Sequence, residues 1–193
     1  MKTIITPPNN TRLLSSIHKG FTLIELMITI AVAGILVTIA LPSLSSLVIK
    51  VRVDNEVAEI QRLLLTARNA AINSGQNASL CPLAADNTCQ NTTNWTGRIG
   101  VVSADGLIKE KSPIKVGDNL IFAFSNVTYN PSGQLGFFNG NASTFSYCPR
   151  DNSKYARGVV VTLSGRSSLS IDNYGDGKDQ DRQDNYISTN CPP

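Results

Sequence analysis

Between Phe21 and Leu41 the chain runs for twenty-one residues with a single charge, Glu25. A helix rises about 1.5 Å per residue, so this run matches the hydrocarbon thickness of a bilayer, about 30 Å. A carboxylate at the centre of such a helix costs about 2.5 kcal/mol or more. Glu25 sits near the entry end, where the cost is lower, yet a leucine there would cost nothing. An acid kept in that place is a functional candidate. The plainer alternatives are a simple anchor, with Glu25 reaching to the headgroups, or a secretory signal. Pro42-Ser43-Leu44-Ser45-Ser46 resembles a small-residue cleavage site only weakly and leaves Glu25 unexplained.

After Pro42 the pattern turns amphipathic. Leu44, Leu47, Val51, Val57, Ile60, Leu64, Ala67 and Ala71 recur at helical spacing, while Arg52, Asp54, Glu56, Glu59 and Arg62 occupy other faces. The helix is expected to run to about Asn73 and stop at Ser74-Gly75, with a bend at Pro42, which lacks a backbone N–H. From Gly75 onward short β-prone segments alternate with turn residues. Strands are expected at Ala78–Cys81, Trp95–Val102, Leu120–Phe124, Val127–Tyr129, Thr144–Cys148, Gly158–Leu163 and Ser168–Ile171. The fold class is therefore α+β: a long N-terminal helix packed on an antiparallel β-sheet head.

Composition narrows the chemistry. The one histidine, His18, precedes the apolar run, so everything from Phe21 onward lacks the commonest general base and metal ligand. No enzyme is expected, and no cofactor. Lys2, Arg12 and Lys19 also precede the run; without them 14 basic residues face 14 acidic ones, and no global field draws in a polyanion. The four cysteines, Cys81, Cys89, Cys148 and Cys191, lack paired C-x-x-C spacing, which disfavours zinc. An even count suggests disulfides, and of three connectivities Cys81–Cys89 with Cys148–Cys191 is favoured, one closing a short loop and one tying down the C-terminus.

Lys19-Gly20-Phe21-Thr22-Leu23-Ile24-Glu25-Leu26 resembles the class III signal of type IV prepilins and type II secretion pseudopilins. The resemblance implies that residues 1–20 are a leader, cut between Gly20 and Phe21 by a prepilin peptidase that also N-methylates Phe21. It implies that Glu25 offsets the N-terminal charge of an adjacent subunit, since paired charges in lipid partly recover their desolvation cost. It places Gly34 and Pro42 where helices of this family bend or melt on assembly. The expected organisation is a leader at 1–20, a long helix at 21–74 whose segment 21–41 is transmembrane and fibre core, and a head at 75–193.

The head carries a second resemblance. Trp95-Thr96-Gly97-Arg98-Ile99-Gly100-Val101, Tyr129-Asn130-Pro131-Ser132-Gly133, Phe145-Ser146-Tyr147-Cys148-Pro149 and Ala156–Arg166 are similar in order and spacing to the GspH/FimT/FimU group. That implies a minor pilin priming the fibre near its tip, or a minor pseudopilin of type II secretion. Expected partners are other major and minor pilins, the prepilin peptidase/N-methyltransferase, and the inner membrane before assembly. The expected location is a single-pass inner-membrane precursor, head in the periplasm, then an extracellular pilus. FimT-type members bind DNA through Gly-Arg-x-Arg. The matching Gly165-Arg166-Ser167-Ser168 lacks the second arginine, so the DNA-contact candidates reduce to Arg157 and Arg166, within a patch that includes Arg150 and Lys154. The acidic stretch that follows opposes a polyanion, and DNA is carried as a rival partner. Asp172, Asp176, Asp179 and Asp181 around glycines invite calcium, against the plainer reading of a solvated loop. The sequons at Asn77, Asn91, Asn94, Asn126 and Asn141 reflect loops rich in Asn and Ser.

If Glu25 pairs with a neighbouring subunit's amine, Glu25→Ala should lower incorporation into fibres about tenfold or more, the loss of one partner in a desolvated pair. Immunoblots of sheared fibres against membranes measure it; wild-type incorporation would refute the pairing.

Overall fold

The computed structural model describes residues 20–136, 143–150 and 152–192, with backbone alone over 39–42. The expected leader lies outside the described residues except for Gly20, as do the Asn141 sequon and the side chain of Pro42. Two compact units divide the chain, Met1–Ser43 and Leu44–Pro193.

One helix, α1 (Leu23–Ser74), passes through both units. In the first unit every large apolar side chain named here, Phe21, Leu23, Ile24, Leu26, Met27, Ile28 and Ile30, is more than half exposed. The hydroxyls inside this run are not orphaned: Thr29 donates to the Leu26 carbonyl at 2.8 Å and Thr38 to that of Ile35 at 2.7 Å. A helix can therefore enter lipid with its threonines satisfied internally. Among the described residues no single helix is long and apolar enough to cross a membrane, whereas Leu23–Thr38 and Ser43–Ser74 together meet that requirement. Leu23–Thr38 alone rises only about 24 Å, short of the hydrocarbon layer.

The second unit is built on the other end of α1. Val53, Val57, Ile60, Leu63, Leu64, Ala67 and Ala71 are fully or almost fully buried. Leu44, Leu47 and Val51, expected on the same stripe, are more than half exposed. Ile49 is partly buried against the core, and named head contacts follow at Lys50 and Arg52, while Leu44, Leu47 and Val51 stay exposed. The helix stops at Gly75, whose φ of +67° is the left-handed region and whose N–H closes onto the Ala71 carbonyl at 3.1 Å.

Among the described residues eight strands follow: β1 (Ala78–Pro82), β2 (Ile99–Ser103), β3 (Gly106–Lys111), β4 (Asn119–Ile121), β5 (Val127–Tyr129), β6 (Ser143–Cys148), β7 (Arg157–Val161) and β8 (Ser167–Leu169). They form two antiparallel four-stranded sheets, β3-β2-β1-β5 and β4-β6-β7-β8. Short 3-10 turns cover Ser153–Tyr155 and Ile187–Asn190. Leu80, Ile99, Val101 and Val127 from the first sheet meet Leu120, Phe145, Val159 and Val161 from the second in one core with the helix stripe. Trp95 lies at its centre, edge-on to Phe122 and Phe145, with its indole N–H donating to the Phe124 carbonyl at 2.9 Å.

The expected strand at Trp95–Val102 starts four residues late. Asn94 accepts from the Thr96 N–H and hydroxyl, an Asx turn that keeps Trp95–Arg98 out of the ladder. Strand β3 was not expected; Gly-Leu-Ile-Lys-Glu-Lys is charged, and only the Asp105-Gly106 turn before it announces a returning strand. The turn between β7 and β8 needs its glycine. Gly165 has φ +75°, and a Cβ there would fall onto the Gly133 carbonyl oxygen, so two loops cross backbone to backbone.

Tyr129 is fully buried, and among the described residues its hydroxyl has no hydrogen-bond partner. Burial pushes that phenol up to about 12, with Arg68 opposing weakly. The raised folded value means its contribution is intact below the unfolded value of about 10 and lost as pH climbs from there towards 12, at a limiting slope of about 1.4 kcal/mol per pH unit. Tyr129→Phe should flatten that alkaline loss in urea melts and, at neutral pH, be neutral or stabilising by up to about 1 kcal/mol. A neutral-pH loss of stability would show that the hydroxyl has a partner.

Candidate assembly site

At its start α1 is set by its own side chains. Gly20, Phe21 and Thr22 are non-helical, and the first helical residue is Leu23. The Glu25 N–H donates to Thr22 Oγ1 at 3.2 Å and the Leu26 N–H to the Thr22 carbonyl at 3.2 Å, making Thr22 the N-cap. Thr22-x-x-Glu25 is the spacing of a capping box, a signal in the sequence that the charge argument overlooked. Glu25 is the acid in the first turn, where a negative charge suits the positive end of the helix dipole. Its carboxylate is exposed, as is Phe21. Gly34 lies within the helix with nothing within 4 Å of where a Cβ would stand.

Lower on the helix, the charged residues expected merely off the apolar face grip the head. Arg52 Nε lies 3.4 Å from Asp118 Oδ2, a buried carboxylate that also accepts from the Tyr147 hydroxyl at 2.6 Å and the Arg150 N–H at 3.0 Å. Burial, then the Asp118 bond, drives the Tyr147 phenol far above its ordinary value. Lys111, at 3% exposure the most buried cation among the described ion pairs, sets its Nζ 2.7 Å from Glu56 and 3.6 Å from Glu59. Arg157 reaches Asp54 through Nε at 2.7 Å, while its Nη1 donates to both carboxylate oxygens of Asp179 at 3.0 Å. About two turns of helix, Arg52 to Glu59, thus tie to β3, to the loop before β4, and to β7.

Arg157 is therefore held between two carboxylates, the exposed Asp54 and the buried Asp179. Arg166 lies apart from it in the exposed β7–β8 turn. The four aspartates named for calcium are not gathered: among the described residues no group of three or more His, Cys, Asp or Glu is placed to hold a metal. Each carboxylate has other work. Desolvation pushes Asp172 up more than any single donor pulls it down, but the N–H groups of Gly177, Gly175, Asp176 and Tyr174 together outweigh it and hold it below the ordinary range. Asp176 accepts from the Lys178 N–H and the Tyr186 hydroxyl, and Asp181 from the N–H groups of Gln183 and Asn185. Asp179 is buried against Arg157 and the Ser170 hydroxyl.

Two covalent ties complete the frame. Cys81 bonds to Cys89 and Cys148 to Cys191. Arg98 pins the first loop, forking onto Glu110 at 2.6 and 2.8 Å and donating to the Ala84 carbonyl and the Asn87 side chain. The second holds the C-terminal segment so that Ile187 is buried beside Gly158 of β7.

The family model described as "Type II transport protein GspH" matches residues 56–165, and that of the prokaryotic N-terminal methylation motif matches 16–41. A fimbrial protein of Pseudomonas aeruginosa is 31% identical over 176 residues, covering 91% of this chain and 97% of the relative. A type IV major alpha-pilin of Moraxella bovis is 34% identical over 122 residues, 62% of this chain and 69% of the relative. The crystal structure of the type IV minor pilin FimU of Pseudomonas aeruginosa superposes with a TM-score of 0.50 over 62% of this chain and 88% of that one, at 16% identity, a likeness of fold.

Removing one partner of a buried pair strands the other charge, at a cost of about 3–5 kcal/mol, whereas exposed pairs contribute under about 1 kcal/mol. Glu56→Ala should therefore destabilise the folded chain several-fold more than Glu59→Ala, read from denaturant midpoints. Equal losses would show that Lys111 does not depend on its nearer carboxylate.

Proposed function

The chain belongs to the GspH family of type IV pilins and pseudopilins, structural and non-enzymatic subunits, and from that premise we propose that it is a minor type IV pilin. Membership carries with it processing by a prepilin peptidase and assembly with other pilins, and the motif with its apolar helix is consistent with the inner membrane before assembly. In this reading the bond between Gly20 and Phe21 is cut, Phe21 is methylated, and the apolar end of α1 exchanges lipid for neighbouring helices. The carrying observation is the capped junction: Thr22 starts the helix two residues past the scissile bond, and the exposed apolar side chains begin at once. Lipid already keeps these side chains from water, so the exchange is decided by close packing between helices and not by hydrophobic transfer.

The head's task is then to present docking surfaces above and below, held rigid on α1 by the ion pairs at Asp54, Glu56 and Asp118. Similarity to a fimbrial protein along nearly the whole of both chains supports a pilus, and the place assigned to the chain within it, near the tip, is part of this proposal. The second reading, a minor pseudopilin of type II secretion, draws on the description of the family model. A DNA receptor is less well supported, because Arg157 is occupied by Asp54 and Asp179.

Fibres sheared from the producing cells and analysed by mass spectrometry should contain this chain, its first peptide beginning with N-methylated Phe21. A chain found only in membranes, whose deletion stops protein secretion but leaves pili intact, would favour the secretion reading. A chain retaining residues 1–20 would end both.

A further inference from the structure

The acidic residues leave one side of the head bare. No Asp or Glu stands between Glu59 and Asp86, between Asp118 and Asp151, or between Asp151 and Asp172. The fold brings parts of all three stretches together. Gln61 Nε2 donates to the Ser167 carbonyl at 3.5 Å, and Arg68 Nε to the Gly133 carbonyl at 3.1 Å. Ile72 packs so closely on Gly133 that a Cβ there would meet its Cδ1, and Gly133 in turn crosses Gly165. The helix stripe of Gln61, Leu65, Arg68 and Ile72 therefore runs along the crossing of the 130–133 turn and the β7–β8 turn.

This ledge mixes apolar and cationic groups. Leu65 is 43% exposed and Ile72 46%, about 10 Å apart along α1 with Arg68 between them. Arg166 is exposed in the β7–β8 turn, and Arg62 on the flank of the helix. Glu59, one turn before Arg62, bounds the ledge at that end, where it is drawn to Lys111 at 3.6 Å. The acidic segment after β8 approaches from the other side of the sheet. Val159 and Val161 face the core with Leu169 and Ser167 opposite them, so Ser168 points to the far face, and there its hydroxyl accepts from Arg182.

Guanidinium groups gathered on a surface of one sign favour an anionic occupant. Three cations neutralise three phosphates at most, which holds little nucleic acid at physiological salt, and Leu65 and Ile72 add nothing to a phosphate contact. Arginine is enriched where proteins meet, and the aliphatic side chains beside it supply surface to bury. We infer that this ledge is a docking surface for the head of another subunit of the pilin family, which presents Asp or Glu to Arg62 and Arg166 and an apolar side chain to Leu65 and Ile72. The inference rests on the reading of the chain as a subunit that assembles with other pilins.

The test replaces Leu65 by the photo-crosslinking residue p-benzoylphenylalanine in the full chain, in the producing cells. Irradiated fibres and membranes should yield a product with a different pilin, joined through a peptide of its head that contains Asp or Glu. Arg62→Gln/Arg166→Gln, both at exposed positions, should lower the yield about tenfold or more, as the loss of charged interface contacts does. Reversing the carboxylate of the crosslinked peptide to Lys should lower it as well, and Arg166→Glu in this chain should then restore it. The same probe at Asn69, exposed on α1 between Leu65 and Ile72, repeats the measurement where the first variant does not accumulate. No product from either position, a yield indifferent to the arginines, a product with a second copy of this chain, or one removed by nuclease would each overturn the proposal. N-methylated Phe21 and entry into sheared fibres are scored in the same samples. A chain that enters fibres without the product fails the docking surface alone, and a product with a pseudopilin from a chain that never enters pili fails the pilus reading alone.

Discussion

Two sheets with no shared strand become one head because a single helical stripe is buried against both. Val53, Val57, Ile60, Leu64, Ala67 and Ala71 supply the apolar surface that Leu80 and Val101 on one sheet, and Phe145 and Val159 on the other, need to leave water. Six such side chains contribute on the order of 10 kcal/mol of transfer free energy, comparable with the whole net stability of a domain. The head does not have a core of its own onto which the helix is later laid; the helix is a third of that core. A chain in which these residues were made polar would lose the sheets as well as the helix.

Ion pairs then fix what the apolar stripe leaves free. Hydrophobic contact is non-directional and tolerates sliding or rotation of a helix on its bed. Asp54, Glu56 and Arg52 each meet a different part of the head, so only one rotation and one height satisfy all three. Such pairs add little net stability once desolvation is counted, and their contribution here is register.

The apolar run, the amphipathic switch after Pro42 and the helix stop at Gly75 were legible because each rests on a strong local rule. So were the strands rich in Val, Ile and aromatic residues, such as β5 and β7. What stayed hidden was decided at long range. Lys111, Asp118 and Asp179 are buried, and nothing local in the sequence reveals that Glu56, Arg52 and Arg157 wait opposite. Arg157 read as a nucleic-acid candidate for the same reason. The acidic segment read as a cation loop because composition counts carboxylates and cannot see them folded back onto their own backbone, as Asp172 is. Leu44, Leu47 and Val51 keep the helical period yet remain uncovered, because periodicity tells which face is apolar and not how far the partner extends.

The Thr22 cap has a consequence for the protease. Helical peptide bonds resist cleavage until a turn is unwound, since an active site needs its substrate extended. With the helix closed at Thr22, the Gly20–Phe21 linkage proposed as the scissile bond lies in non-helical chain next to the helix, where a cut needs no melting. The side chain that closes the helix would then also bound the proposed cut.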